Sequence, residues 1–118
     1  MTKTPIYYYK EKNGYSPIVS FLDSLSSIQQ AKTLRIFQTI KEYGLQSALA
    51  HIRHITGTQI SEIRILGKDN IRILYITKKP IGIIILHGFI KKTQKTPTKE
   101  LHKAIQRLHN LDTLCIDK

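Results

Sequence analysis

Ile60–Leu66 (ISEIRIL), Ile71–Thr77 (IRILYIT) and Ile83–Ile90 (IIILHGFI) dominate the second half of the chain. β-branched and aromatic residues of this kind suit a pleated, half-buried surface. Gly67-Lys68-Asp69-Asn70 and Lys78-Lys79-Pro80 separate the three segments at turn length, so they are expected to pair as an antiparallel meander. Such a sheet must bury an apolar face against something else.

The flanking sequence supplies that cover. After a short strand expected at Ile6–Lys10, Asn13-Gly14 marks a turn. Ser16-Pro17 reads as an N-cap followed by proline at the first helical position. Ile18, Phe21, Leu22 and Leu25 then fall at helical spacing. Ser27-Ile28-Gln29-Gln30 resembles a capping box and opens a second helix with an apolar stripe at Ala31, Leu34, Phe37 and Ile40. Gly44 is suited to end that helix, and the two are expected to form a hairpin. Ser47–Thr58 is expected to be loop. Thr96-Pro97 starts a last helix, with Leu101, Ala104, Ile105 and Leu108 on one face. The expected fold is α+β: a small antiparallel or mixed sheet, an N-terminal helical hairpin and a C-terminal helix, in the order β-α-α-β-β-β-α. All helices are expected on one sheet face. With 118 residues and no repeat or linker, the chain reads as a single domain, leaving the tail 112–118 unassigned.

Charge narrows the partners. Lys and Arg total 19 against 8 Asp and Glu, a net +11. An excess of this size on a small domain points to a phosphate-rich partner such as RNA. No apolar run approaches the ~20 residues of a membrane helix, and no secretory leader opens the chain. A single cysteine, Cys115, allows no internal disulfide. The expected setting is the cytoplasm, with no membrane partner.

Polar residues interrupt the strands in a pattern. Side chains of like parity share a sheet face, so Glu62 and Arg64 lie together, as do His87, Phe89 and Lys91. Arg72 stands in an otherwise apolar run. A mid-strand arginine is costly unless it pairs or faces water. Each residue has an ordinary alternative: an ion pair for Arg64, a solvated strand start for Arg72, a satisfied core histidine for His87, packing for Tyr75. Lys91 and Lys92 can be a charged strand end, and Lys95 a loop lysine. Their joint placement on one small sheet favours phosphate handling.

Other chemistries lack their residues. There is no glycine-rich phosphate loop, paired-cysteine metal site or HExxH. His51 and His54 have helical metal spacing but no third ligand, and neither metal nor cofactor is expected.

Three runs together carry a family likeness: Glu62-Ile63-Arg64, then Ile71 to Tyr75 (IRILY), then Leu86 to Pro97 (LHGFIKKTQKTP). With Ser16 to Leu25 (SPIVSFLDSL), they resemble the phage-derived HigB-like toxins of the RelE/ParE superfamily over roughly residues 6–110. One departure is Ser61, where that family commonly has an aromatic residue.

The resemblance implies a toxin of a type II toxin–antitoxin pair, with the RelE-like fold, that cleaves mRNA on the ribosome and so inhibits translation. Its partners would be a helix-turn-helix, HigA-like antitoxin, translated mRNA and ribosomal RNA. The fitting chemistry is metal-independent transesterification by a ribose 2′-OH. It requires a base, cations for the phosphorane and an acid for the leaving oxygen. Arg64 and Arg72 are expected on the phosphate. Lys91, Lys92 and His87 are the remaining expected catalytic residues, with the general base open between His87 and a lysine. Lys95, Lys99, Lys103 and Arg107, together with Tyr75, are expected to bind RNA or the ribosome. Alternatives are a ParE-like gyrase poison, a non-catalytic nucleic-acid-binding module, and an inactive member retained as a repressor component.

Overall fold

The computed structural model describes residues 3–65, 67, 70–92, 96–111 and 116–117, the last pair as backbone. The elements are β1 (Ile6–Tyr9), α1 (Pro17–Ser24), α2 (Ser27–Tyr43), a 3₁₀ helix (Leu45–His51), β2 (Ile52–His54), β3 (Ser61–Ile65), β4 (Ile71–Lys78), β5 (Gly82–Ile90), α3 (Thr98–His109) and β6 (Ile116–Asp117). The strands form one mixed sheet in the order β2-β3-β4-β5-β1-β6. β3, β4 and β5 are the antiparallel meander, while β1 joins β5 in parallel. The α+β class and the order β-α-α-β-β-β-α hold. Two elements enlarge the expected sheet. β2 lies within the expected loop Ser47–Thr58, and β6 brings part of the unassigned tail onto β1.

Local chemistry sets the helix starts. The Ser16 hydroxyl accepts from Val19 N–H at 3.2 Å, with Pro17 in the first turn. α2 begins one residue earlier than the sequence suggests. Ser26 is the N-cap, its hydroxyl accepting from Gln29 N–H while Gln29 Oε1 accepts from Ser26 N–H. The buried stripe of α2 is Thr33, Phe37 and Ile40, and Leu34 is 41% exposed. Thr33 tolerates full burial because its hydroxyl donates to Gln29 O. Thr96 does not cap α3. Pro97 holds that position with no side-chain bond, and the Thr96 hydroxyl reaches Glu62 instead.

The helices do not share one face. His87 and Gly88 are consecutive in β5, so their substituents point to opposite sides. His87 meets Glu100 and Arg107 of α3, whereas the α-carbon of Gly88 lies against the Phe21 ring of α1. The α1–α2 pair therefore covers one face and α3 the other. The reason is visible in β4, where Leu74 and Ile76 share Arg72's parity yet are buried. Half of the arginine-bearing face is apolar and needs α3 as its lid. A wholly buried layer of Ile18, Phe37, Ile40, Ile63, Ile73 and Ile85 lies at the centre of the core.

Gly88 is dictated by close approach. A Cβ there would stand 2.5 Å from Phe21 Cδ2. Gly88→Ala should cost about 1–3 kcal/mol through overpacking. Phe21→Leu should restore part of the loss, as read by urea denaturation of the single and double variants.

Candidate functional site

Strand register assembles the site from residues far apart in sequence. Arg64 of β3 stands directly opposite Arg72 of β4, and Arg72 opposite Phe89 of β5. Beyond β5 the Lys91 N–H donates to Asn70 O at 2.8 Å, which prolongs the ladder and leaves Lys91 on the face of Phe89. At the other edge, Arg53 of β2 is paired with Glu62 of β3. Arg53, Arg64, Arg72 and Lys91 thus surround one carboxylate, Glu62, on the part of the face beside α3.

The geometry leaves charge uncompensated. Glu62 is wholly buried, and its Oε2 accepts from the Thr96 hydroxyl at 2.7 Å. Its Oε1 lies 3.9 Å from Arg72 Nε, too far for a hydrogen bond. Arg72 instead gives one Nη1 proton to Ile71 O at 3.2 Å. Among the described residues, Glu62 Oε1, Arg64 Nε and Arg72 Nε are buried without a hydrogen-bond partner. A buried polar group left unbonded costs ~1–3 kcal/mol, and like charges directly across two strands repel. An anion bridging the two guanidinium groups would relieve both costs. Phosphate suits the planar fork of arginine.

Lys91 is 7% exposed. Burial pushes its ammonium down from the ordinary lysine range. Glu62 opposes that shift, while Arg72, Arg53 and Arg64 reinforce it. A lysine moved this way becomes a better proton acceptor near neutrality.

His87 is occupied elsewhere. Arginine has only donors, so the 2.9 Å contact from Arg107 Nη1 makes His87 Nδ1 an acceptor. Nε2 therefore carries the proton and donates to Glu100 Oε1 at 2.6 Å. The ring stacks on Phe89 with centroids 5.6 Å apart. Burial lowers the His87 pKa, Glu100 offsets part of this, and Arg107 and Lys103 add to it. The imidazole is a neutral bridge between β5 and α3.

The other expected residues separate. Arg107 is half-buried, donating to Leu86 O at 2.9 Å and lying over the Tyr9 ring. Tyr75 is 3% exposed and paired with Ser61, on the face of the α1–α2 hairpin. Burial pushes its phenol up, against the Ser61 hydroxyl. Lys92, Lys99 and Lys103 are exposed, and Lys95 lies outside the described residues. His51 and His54 sit on a 3₁₀ end and a strand, not on an α-helix, bonding Arg64 O and the Ser61 hydroxyl respectively. No group of metal-ligating side chains occurs among the described residues. Arg53, Glu62 and Thr96 join the site without having been singled out as functional. Glu62 shares Arg64's parity, and that was the available signal. Arg53 could be placed only once β2 was known to be a strand.

Because the folded protein resists protonating His87, the stability it contributes is held above about pH 6.5 and lost as the pH falls below that value. His87→Gln keeps a donor for Glu100 and an acceptor for Arg107. Its melting temperature should fall less than that of the wild type between pH 7.5 and 5.5, measured by circular dichroism.

Residues 20–109, from within α1 to the last residue of α3, match the family described as phage-derived protein Gp49-like. No curated protein matches the chain.

Proposed function

The chain belongs to the phage-derived Gp49-like family, and on that premise we propose that it is the toxin of a type II toxin–antitoxin pair. In this reading it is a ribosome-dependent endoribonuclease that cleaves translated mRNA. The observation that carries the reading is the facing pair Arg64 and Arg72, each with a buried, unbonded Nε, beside a lysine whose pKa is lowered. The net +11 charge and the likeness to HigB-like toxins support the same substrate.

The chemistry follows from those groups. Lys91, neutral in its active form, takes the proton of a ribose 2′-OH. The 2′-oxygen attacks the adjacent phosphorus, and the bond to the 5′-oxygen breaks. The products are a 2′,3′-cyclic phosphate and a 5′-OH, the leaving oxygen being protonated from Lys91 or from water. Arg64 and Arg72 bind the non-bridging oxygens and offset the charge that grows in the phosphorane. His87, with both ring nitrogens engaged, holds α3 in place and takes no proton from substrate. Exposed Lys92, Lys99 and Lys103 offer phosphate contacts for ribosomal RNA. The cognate antitoxin would be a helix-turn-helix protein that neutralises the toxin.

With one weak base and no metal, alignment of the 2′-OH carries much of the rate, and the ribosome supplies it. Mapping of mRNA 5′ ends should therefore show cleavage of translated message and little of free RNA. Equal cleavage of both would exclude ribosome dependence.

Arg72→Ala removes transition-state charge stabilisation worth about 10²–10³ in rate. Cleavage should be lost while ribosome co-sedimentation persists. A parallel loss of binding would make Arg72 a docking residue.

A further inference from the structure

Glu62 is the most deeply buried charged side chain among the described residues, and its charge is not used in the way a buried ion pair normally is. A wholly buried carboxylate beside arginine would be expected to close a short, bidentate contact. Here it stops at 3.9 Å from Arg72 Nε and bonds a neutral hydroxyl, Thr96, at 2.7 Å. Thr96 directly precedes Pro97, the N-cap of α3. The far end of the same helix is fastened through Arg107 to Leu86 O and His87, and its first turn through Glu100 to His87. The Glu62–Thr96 bond thus ties the head of the helix to β3, across the edge of the arginine pair.

We propose that Glu62 is a positioning residue of this site. One oxygen anchors the head of α3 through Thr96. The other stands against Arg72 without bonding it, holding the two arginines and Lys91 together as a cluster while leaving the guanidinium for an incoming phosphate.

The inference rests on the ribonuclease reading for its kinetic consequence but not for its structural one. The charged groups facing Lys91 among the described residues are Glu62 and Arg64 on β3, Arg72 on β4 and Arg53 on β2. Glu62 is the single anion in that set. Arg53, exposed on the edge strand and paired with Glu62, acts on Lys91 with the opposite sign.

Three variants separate the two oxygens' roles. Thr96→Val removes the anchor and keeps the charge. Amide exchange at Glu100 and Leu101, whose N–H groups bond Pro97 O, should speed up about tenfold, the equivalent of one net hydrogen bond. Glu62→Gln keeps an acceptor for Thr96 and removes the charge. Exchange there should stay near wild type, while Lys91, followed by NMR of its side-chain carbon, titrates at lower pH. Arg53→Gln should move Lys91 to higher pH. In translated-message cleavage, the acid limb of the pH–rate profile should shift down in Glu62→Gln and up in Arg53→Gln. An unmoved Lys91 titration in both charge variants, or unchanged exchange in Thr96→Val, overturns the inference. If the wild type cleaves no message, the ribonuclease reading fails, and the Lys91 titration and helix exchange still decide the role of Glu62.

Discussion

Two arginines stand directly opposite each other across β3 and β4, where like charges repel, with one buried carboxylate, Glu62, 3.9 Å from Arg72 Nε. That repulsion is affordable because the strands beneath it are anchored by an apolar layer on the opposite face, where Ile63 and Ile73 are wholly buried in register. Removing apolar surface from water is the dominant favourable term in a domain of this size. The α1–α2 pair, with Phe21 seated on Gly88, supplies the surface against which those isoleucines pack. The charged cluster is thus built over a wholly buried part of the sheet, and backbone register sets which of its residues stand opposite one another.

The second face is divided between packing and chemistry. α3 covers Leu74 and Ile76, and its polar contacts to the sheet run through His87, Glu100, Arg107 and the Glu62–Thr96 bond. Beyond its edge the face carries charge. A helix that stopped short would expose apolar β4 residues, and one that reached further would close off what remains exposed of two arginines that share the single carboxylate Glu62, at a cost of several kcal/mol for the unpaired ion. The placement of α3 is therefore a compromise set by both demands, and it decides which polar side chains of this face are covered.

Much of this was legible in the amino-acid order. The three strands, the Ser16-Pro17 helix start, the Gly44 terminator and the shared parity of Glu62 with Arg64 all follow from local chemistry. The errors were local too where two residues competed: Ser26 rather than Ser27 caps α2 because its side chain pairs reciprocally with Gln29. Thr33 rather than Leu34 faces inward because its hydroxyl satisfies itself on the preceding turn. β2 and β6 were hidden by their shortness. Strands of three and two residues carry no period to read, and they exist only because a neighbouring strand offers an edge.

By itself the sequence determined a β-rich meander flanked by helices, with cations at alternate positions, because period and capping are properties of adjacent residues. It could not choose between His87 and the lysines that follow it. His87, Phe89 and Lys91 share one parity and are locally equivalent. Tertiary structure gives them different surroundings by where α3 comes to rest. The helix closes over His87, filling both ring nitrogens with Glu100 and Arg107, and leaves Lys91 beside Arg64, Arg72 and Glu62. Such an arrangement depends on contacts between residues far apart in sequence, Thr96 and Glu62 being 34 apart, and no local pattern encodes it.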